Sequence, residues 1–419
     1  MKAPQASVLR ATIAVAIGNV LEWYDFVVYG YFATHLAQHF FPAGDATASL
    51  LAAFAAFGIG FFFRPLGAVV IGAIGDRRGR KTALILTIML MASGTLLIGL
   101  LPSYATIGIA APAMLVLARL VQGFSVGGEW GTSVVYLVES APPGRRGLYG
   151  SIQQMTVVAG LLLGSGMAAA LSTLLDPADM QAWGWRIPFL VGGIVAPIGF
   201  YMRRGIEETP AYRQLVQAGA AENGEWPAVA IAQAFGLSLI WSVMAYIFLV
   251  YMPTFTEKHA GLSHAAALWA NTLGLCLLLI AIPVCGFLSD HLGRKPLLLA
   301  SCLASIVLPL PLFAQILANP TLEVVIVSQL LISLMVALYL GPAPAAIAES
   351  FRTRTRSSYV SATNGISVAI FGGFAPFIAT WLINATGSAI TPTYYVIAAA
   401  VVSAIAILSL RETARGELQ

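Results

Sequence analysis

Apolar residues run along this chain in stretches of about 20 or more, and each is cut by a short break of charge, proline or glycine. A helix needs about 20 apolar residues to cross the hydrocarbon core of a bilayer. Run length therefore predicts twelve spans, at 11–37, 47–74, 82–101, 107–139, 147–172, 187–203, 229–254, 265–288, 297–318, 322–349, 357–384 and 392–410. The longest break, 204–228, carries Arg204, Glu207, Glu208, Arg213, Glu222 and Glu225. It divides the chain into an N-terminal six-helix bundle (1–203), a cytoplasmic central loop (204–228) and a C-terminal six-helix bundle (229–419). The fold expected is all-α and integral to the membrane, with both termini cytoplasmic.

The two halves echo each other. Gly72-Ala-Ile-Gly-Asp76-Arg77-Arg78-Gly79-Arg80-Lys81 returns as Gly286-Phe-Leu-Ser-Asp290-His-Leu-Gly293-Arg294-Lys295. Glu139-Ser140, followed by Arg145 and Arg146, returns as Glu349-Ser350, followed by Arg352, Arg354 and Arg356. Two membrane halves in parallel repeat are the architecture of a rocking transporter. An aspartate with basic neighbours at an inner turn can bridge to the next helix end and hold that side closed. Asp76, Arg77, Arg80, Asp290 and Arg294 are therefore expected to gate, with Glu139, Arg145, Glu349 and Arg352 from the second echo.

Composition excludes a water-soluble domain: 58% of residues are apolar, 10% are charged and the mean hydropathy is +0.84, against about 25% charged in soluble proteins. Of the 22 basic residues, 18 fall on the inner side when both termini are cytoplasmic, which fixes the orientation. Only Arg186 and Lys258 fall outside, and Arg64 and Arg119 lie within spans. The net charge of +4 is thus spread over short inner loops, which removes nucleic acid as a partner. Lys2 and Arg10 lead straight into a segment with Glu22 and Asp25, a first span rather than a cleaved signal. Cys276, Cys285 and Cys302 read as buried small hydrophobes without metal-site spacing. His35, His39, His259, His264 and His291 read as surface or interface residues, and Trp183, Trp185 and Arg186 as an outer-face aromatic anchor.

Charge inside a span costs about 2.5–3.5 kcal/mol on an insertion scale. Five such residues occur, all in the N-terminal half: Glu22, Asp25, Arg64, Arg119 and Glu129. The C-terminal half offers neutral groups instead, among them Asn271, Gln329, Tyr339 and Asn364. At about 1.5 Å per residue, Arg64 and Glu22 lie at similar depth and are placed to meet. Arg119, Gln122, Val126 and Glu129 fall within an arc of about 80° on one helix face, and Glu22, Asp25 and Tyr29 share another. One reading makes these charges helix-locking pairs, Glu22 with Arg64 and Arg119 with Asp25 or Glu129. The other makes an arginine the receptor of a substrate carboxylate, because its planar fork binds carboxylate at two points and keeps its charge. A carboxyl then carries the proton, since burial favours its neutral form and a nearby arginine its ionised form. Gln153 and Gln154 open the fifth span, one of them expected in the cavity, and the glycines of spans four and five (Gly123, Gly127, Gly128, Gly160, Gly164, Gly166) read as close-packing positions.

The inner-turn repeat and Arg119-x-x-Gln122-Gly123-x-x-x-Gly127-Gly128-Glu129 resemble the major facilitator superfamily. More narrowly, four motifs resemble its metabolite:proton symporter family. They are Gly18-Asn19-x-x-Glu22-Trp23-Tyr24-Asp25-Phe26, Arg64-Pro65-Leu66-Gly67, Trp183-Gly-Trp-Arg186-Ile-Pro-Phe189 and Glu207-Glu208-Thr209-Pro210. That resemblance covers essentially the whole chain. It implies a proton-driven uptake carrier of a bacterial inner membrane, with a central cavity between two bundles. Family members carry citrate, tricarballylate, 2-oxoglutarate, shikimate, proline or betaine. Ile370-Phe371-Gly372-Gly373-Phe374-Ala375-Pro376 is closer to the citrate and 2-oxoglutarate carriers, as is the lack of a long segment after the last span, and Arg411-Glu412-Thr413-Ala414 is closer to the osmolyte carriers.

The function expected is proton symport of a small di- or tricarboxylate by a monomer in the bilayer, with protons as the coupling ion and neither cofactor nor metal. Arg119 leads the expected substrate site, with Arg64, Asn19, Tyr29, Gln122, Gln153 and Gln154, and with Asn271, Tyr339 and Asn364 from the second half. Asp25, Glu22 and Glu129 are the expected proton carriers, in that order. The rivals are a zwitterion or shikimate symporter, a drug exporter, and a receptor that binds without carrying. No nucleophile–base constellation suggests an enzyme.

Overall fold

The computed structural model describes residues 5–78, 80–126, 129–194, 228–351, 356–414 and 416. Side chains are described for all of these except 5–15, 72, 73, 75–78, 80, 81, 83, 84, 129, 132, 357 and 358. Every element among the described residues is helical. In the first half α1 (Gln5–Tyr31) turns at Phe32 into α2 (Ala33–Phe40). α3 (Ala46–Phe62) starts under an Asp45 cap and breaks at Phe63, ahead of Arg64-Pro65, where proline has no N–H to give. α4 (Arg64–Arg78), α5 (Arg80–Leu100), α6 (Ala110–Ser125), α7 (Glu129–Glu139) and the unbroken α8 (Arg146–Leu174) follow. Short turns then lead to a helix described over 187–194.

The second half runs α9 (Ala228–Met244), a π-helical segment Ala245–Tyr251 and α10 (Met252–His259) as one continuous rod. α11 (His264–Leu292), α12 (Arg294–Val307), α13 (Pro309–Ala318), α14 (Leu322–Leu340) and α15 (Ala343–Glu349) succeed it. The last spans are α16 (Arg356–Ser367), a second π turn at Val368–Gly372, α17 (Ala375–Thr386) and α18 (Pro392–Ser409). Among the described residues, 8 helices are long and apolar enough to cross a membrane, and Ile85–Leu100 and Ala110–Ser125 are shorter apolar helices. With α1 and 187–194 these occupy the twelve expected positions. The expected loop, 204–228, lies outside the described residues apart from its last position.

The halves meet chiefly along α8 and α11, which run antiparallel through the full depth, and also where α3 meets α17 and α7 meets α16. Glycine permits the α8–α11 approach. A Cβ on Gly147 would stand 2.5 Å from the Gly286 carbonyl, and one on Gly286 would stand 2.7 Å from the Gly147 carbonyl. The same close packing joins α6 to α3, where a Cβ on Gly123 would overlap the Gly60 carbonyl, and α8 to α1 at Gly160 and Gly164. Gly166 makes no such close approach, and Gly127 and Gly128 lie outside the described residues.

Bonds join the halves at both ends. On the outer side the Tyr31 hydroxyl donates to the Leu249 carbonyl (3.0 Å), Asn271 Nδ2 to Ser165 Oγ (3.1 Å) and Trp269 Nε1 to Thr173 Oγ1 (3.0 Å). On the inner side Asp290 accepts the Gly147 and Leu148 N–H groups at 2.7 and 3.0 Å. Two surface expectations change: Cys276 is exposed on its helix face while Cys285 and Cys302 are buried. Trp185 is fully buried against His39, Phe40 and Phe189, because the chain folds α2 over it, and only Trp183 is exposed. His35 and His264 are half-buried and face each other across the halves.

Candidate transport site

Arg119 is 0% exposed in the middle of α6. Its Nη1 donates to Gln122 Oε1 at 2.8 Å and its Nη2 to the Phe57 carbonyl at 3.3 Å. The rings of Phe26, Tyr29 and Phe57 lie 4.3, 4.6 and 5.0 Å from its guanidinium carbon. Among the described residues no carboxylate pairs with it directly. Each ring contact with a desolvated cation contributes about 1–2 kcal/mol. Three rings and two neutral acceptors therefore offset a burial cost of about 2.5–3.5 kcal/mol, with no carboxylate counter-ion among the described residues.

Arg64 sits one turn of packing away, with its guanidinium 4.3 Å from Phe61, 4.8 Å from Phe26 and 5.9 Å from Trp23. Its Nε is buried without a partner among the described residues. Glu22 acts on Arg64 through its field, but the two form no direct ion pair, which corrects the expected helix-locking bridge.

Asp25 is 6% exposed, and its Oδ1 has no hydrogen-bond partner among the described residues. It faces Gly192, whose Cβ position would overlap Oδ1, and the Thr95 hydroxyl. Gln122 Nε2 donates to Thr95 Oγ1 at 2.8 Å. A polar row therefore crosses the first half: Asp25, Thr95, Gln122, Arg119, Phe57 carbonyl. The expected Asp25–Arg119 pairing is replaced by this indirect link, because Gln122 and Thr95 fill the gap between the two charges. The Thr95 hydroxyl donates to the Met91 carbonyl at 3.1 Å, with the Asp25 carboxyl close by. The Glu129 side chain lies outside the described ones.

A narrow cavity lies between the halves, lined by Trp23, Gln154, Val157, Val158 and Leu161 on one side and by Trp241, Ala245, Tyr246, Leu249, Val250 and Leu340 on the other. Arg119, Arg64 and Gln122 are not among its lining residues. Tyr246 connects the two regions. Its ring packs edge-on against Phe57 (6.0 Å) and Phe61 (5.4 Å), the rings that cover Arg119 and Arg64, and it lies within electrostatic reach of both guanidinium groups. Its hydroxyl is buried with no partner among the described residues. The π-helical segment sets this orientation, since an extra residue per turn redirects the side chains at its start.

Of the glutamine pair, Gln154 reaches the cavity, with Oε1 unpartnered. Gln153 is buried beside it, and neither amide atom has a partner among the described residues. Asn19 binds Thr156 and so ties α1 to α8. Tyr29 gives its hydroxyl to the Ala53 carbonyl at 3.0 Å and meets Arg119 with its ring, so it is not the free donor expected. Tyr339 likewise donates to the Leu237 carbonyl at 2.7 Å. Asn271 bonds Ser165, the Leu249 carbonyl and Gln329, a knot in the outer seam rather than a ligand of the cavity. Asn364 accepts from Trp241 Nε1 at 3.1 Å and so positions a cavity wall. Asn19, Tyr29, Tyr339, Asn271 and Asn364 each find a backbone or side-chain partner, which is why polarity within a span did not mark the cavity. Trp23, Trp241 and Tyr246 were missed as lining residues. Trp23 stood inside a quoted motif, but Trp241 and Tyr246 lie in apolar runs that carry no such signal.

At the inner turn Arg294 Nη1 lies 2.9 Å from Asp290, and Nη2 lies 3.2 Å from Glu349. Glu349 also faces Arg146 at 3.7 Å, and Arg356 Nη1 meets Glu139 at 2.6 Å. Arg145 is exposed ahead of the first turn of α8, so Arg146 takes the place expected for it. The side chains of Asp76, Arg77 and Arg80, and all of Arg352, lie outside the described ones.

Family models match residues 11–225 (sugar and other transporter) and 258–418 (major facilitator superfamily). The chain is 37% identical to a citrate-proton symporter of Klebsiella pneumoniae, over 98% of this chain and 94% of that one. It is 34% identical to a proline/betaine transporter of Salmonella typhimurium, over 98% of this chain and 85% of that one. The crystal structure of a D-xylose-proton symporter superposes with a TM-score of 0.79 at 19% identity, covering 99% of this chain and 100% of that one. With the repeated bundles, the seams at both ends and the cavity between them, these matches place the chain in the major facilitator superfamily as a multi-pass membrane transporter, not an enzyme.

Proposed function

We propose that this chain is a proton symporter of a bacterial inner membrane that imports a small organic acid anion of the di- or tricarboxylate class by alternating access. The observation that carries this reading is Arg119, a fully buried cation with no direct carboxylate partner among the described residues. A substrate carboxylate entering the cavity meets Tyr246 and Gln154 first. Rotation of Tyr246 away from Phe57 and Phe61 then opens the way to the guanidinium pair, whose forks suit carboxylate geometry. Asp25 is the proton carrier in this reading. When it is ionised, the Thr95 proton turns to it. When it is protonated, that proton returns to the Met91 carbonyl, and Gln122 passes the rearrangement on to Arg119. Substrate at Arg119 thereby alters the field at Asp25, and coupling is reciprocal.

A second reading rests on the cavity walls. Trp23, Trp241 and Tyr246 offer aromatic faces to a cationic group, which suits a zwitterion carrying both a carboxylate and an ammonium. The relatives named above include both kinds of carrier. Purified protein in proteoliposomes with an acidic exterior separates the two readings. Accumulation of citrate or 2-oxoglutarate, abolished when the proton gradient is collapsed, is the expected result. Accumulation of betaine or proline with no competition from citrate would replace the first reading by the second. No gradient-driven accumulation of either class would remove proton symport.

A further inference from the structure

The outer seam holds a group of ionisable side chains that the transport reading leaves unused. His35, on α2 of the first half, meets His264, at the start of α11 in the second half, edge to face with ring centroids 5.0 Å apart. Phe32 packs against both, at 5.6 and 6.2 Å. His264 Nδ1 lies 2.7 Å from Glu257 Oε2, and the two side chains are 17% and 20% exposed, so water reaches the pair. His35 Nδ1 and His264 Nε2 are buried with no partner among the described residues. The other charged or titratable groups facing His35 are His39 from its own helix and Lys258 beside Glu257. His39 is engaged elsewhere, with Nε2 at 2.7 Å from the Gln181 carbonyl and its ring on Trp185. One helical turn earlier, Tyr31 and Gly30 close the same seam against Leu249 and Val250.

We propose that His35, His264 and Glu257 form a proton-binding site on the outer face that releases the outer seam. The charge count gives the mechanism. One proton taken from outside makes His264 an imidazolium, which the Glu257 carboxylate neutralises without disturbing the seam. A second, on His35, puts an unneutralised cation against the first across the interface, with Lys258 adding to the repulsion. Imidazole is the side chain whose ordinary titration range spans the pH of an acidified exterior. Acid outside then favours the outward-open form, so the carrier opens toward the side where the driving protons are. When the halves close again, the proton on His35 is returned to the outside water. The site differs from Asp25, which lies deeper and wholly within the first half. It rests on the alternating-access part of the reading above, not on the identity of the substrate.

The test needs no substrate. Cys276, Cys285 and Cys302 are replaced by serine, and spin labels are attached through Ala178→Cys and Asn384→Cys, exposed outer positions of the two halves. Distances between the labels are read in lipid nanodiscs from about pH 8 to about pH 5.5. The open-to-closed ratio is expected to rise at least about tenfold across that range. His35→Gln and His264→Gln remove the rise, and Glu257→Gln moves its midpoint to lower pH because His264 loses its counter-ion. Thermal unfolding of each variant guards against misfolding, with His35→Asn as a second replacement. A pH-independent distance distribution in the parent, or a parental rise in both histidine variants, would overturn the proposal. Gradient-driven uptake by the same parent, measured separately, reports on the symport reading alone.

Discussion

Arg119 illustrates what a single residue can and cannot reveal. Its type and depth marked it as costly, and the structure shows how the cost is met: Phe26, Tyr29 and Phe57 surround the charge, and Gln122 and a backbone carbonyl orient it. Arg119→Ala is expected to abolish uptake with normal insertion, and Arg119→Lys to leave only a few per cent, because a point charge does not reproduce the fork. Unchanged initial rates in either variant would remove the residue from the site. Tyr246→Phe tests the other side of the aromatic layer. Loss of one hydrogen bond to a charged substrate is worth about 1.5–3 kcal/mol, or roughly 10–150-fold in KM, with insertion unaffected. Asp25→Asn should keep substrate exchange across the membrane while losing accumulation against a gradient, which counterflow and gradient-driven uptake measured in parallel distinguish.

At the scale of helices, the segment after α18 acts as a cap. Glu412 accepts the Arg294 and Lys295 N–H groups at 2.9 and 3.0 Å and so closes the N-terminus of α12. Partial burial pushes the Glu412 carboxyl up, but hydrogen bonds from the Arg294, Ala414, Lys295 and Thr413 backbone outweigh it and hold it below the usual carboxylate range. A carboxyl held low when folded contributes stability above its ordinary value of 4.5, and that contribution is lost as pH falls through the folded value. Glu412→Gln is therefore expected to lower the unfolding temperature at pH 7 by a few degrees at most, since a cap is worth about 1 kcal/mol and solvent screens it. The difference should vanish in acid. Gly147 belongs to the same scale. In Gly147→Ala the new methyl meets Ser289, Arg294 and the Gly286 carbonyl, so the inner ends of α8 and α11 must part. Overpacking of this kind costs about 1–3 kcal/mol, which should raise the inward-open fraction about fivefold or more in spin-label distances.

Across the whole molecule, the repeated Glu and Arg positions pair reciprocally. Glu139 of the first half meets Arg356 of the second, and Glu349 of the second faces Arg146 of the first. The two bonds differ in burial, since the Glu139 side chain is 36% exposed and that of Glu349 is 3%. Arg356 is itself buried and keeps the Ala348 and Phe351 carbonyls when Glu139 is lost, whereas losing Glu349 takes a carboxylate from both Arg146 and the buried Arg294, and breaking a buried pair costs about 3–5 kcal/mol. Glu349→Gln should therefore open the inner side far more than Glu139→Gln, as read by thiol labelling of a cysteine placed at Ala345. Equal labelling in the two variants would show that the seal lies elsewhere, in Asp290 and the α8 N-terminus.

Much of this architecture was legible along the chain. Apolar run length located the spans, because a bilayer sets their length. The positions of Lys and Arg give the expected orientation, with both termini cytoplasmic. Repetition of the Glu139 and Glu349 motifs pointed to two halves, and those glutamates face Arg356 and Arg146 of the opposite half. Tertiary structure alone decided which polar groups face a cavity and which are spent on a neighbour. Tyr29, Tyr339 and Asn271 each found a partner, whereas Tyr246, hidden in an apolar run, was turned by a π-helical segment toward two arginines. Helical periodicity says which side chains share a face. What lies opposite that face depends on how the two bundles are packed, and with it whether a buried charge is covered by rings or met by a carboxylate.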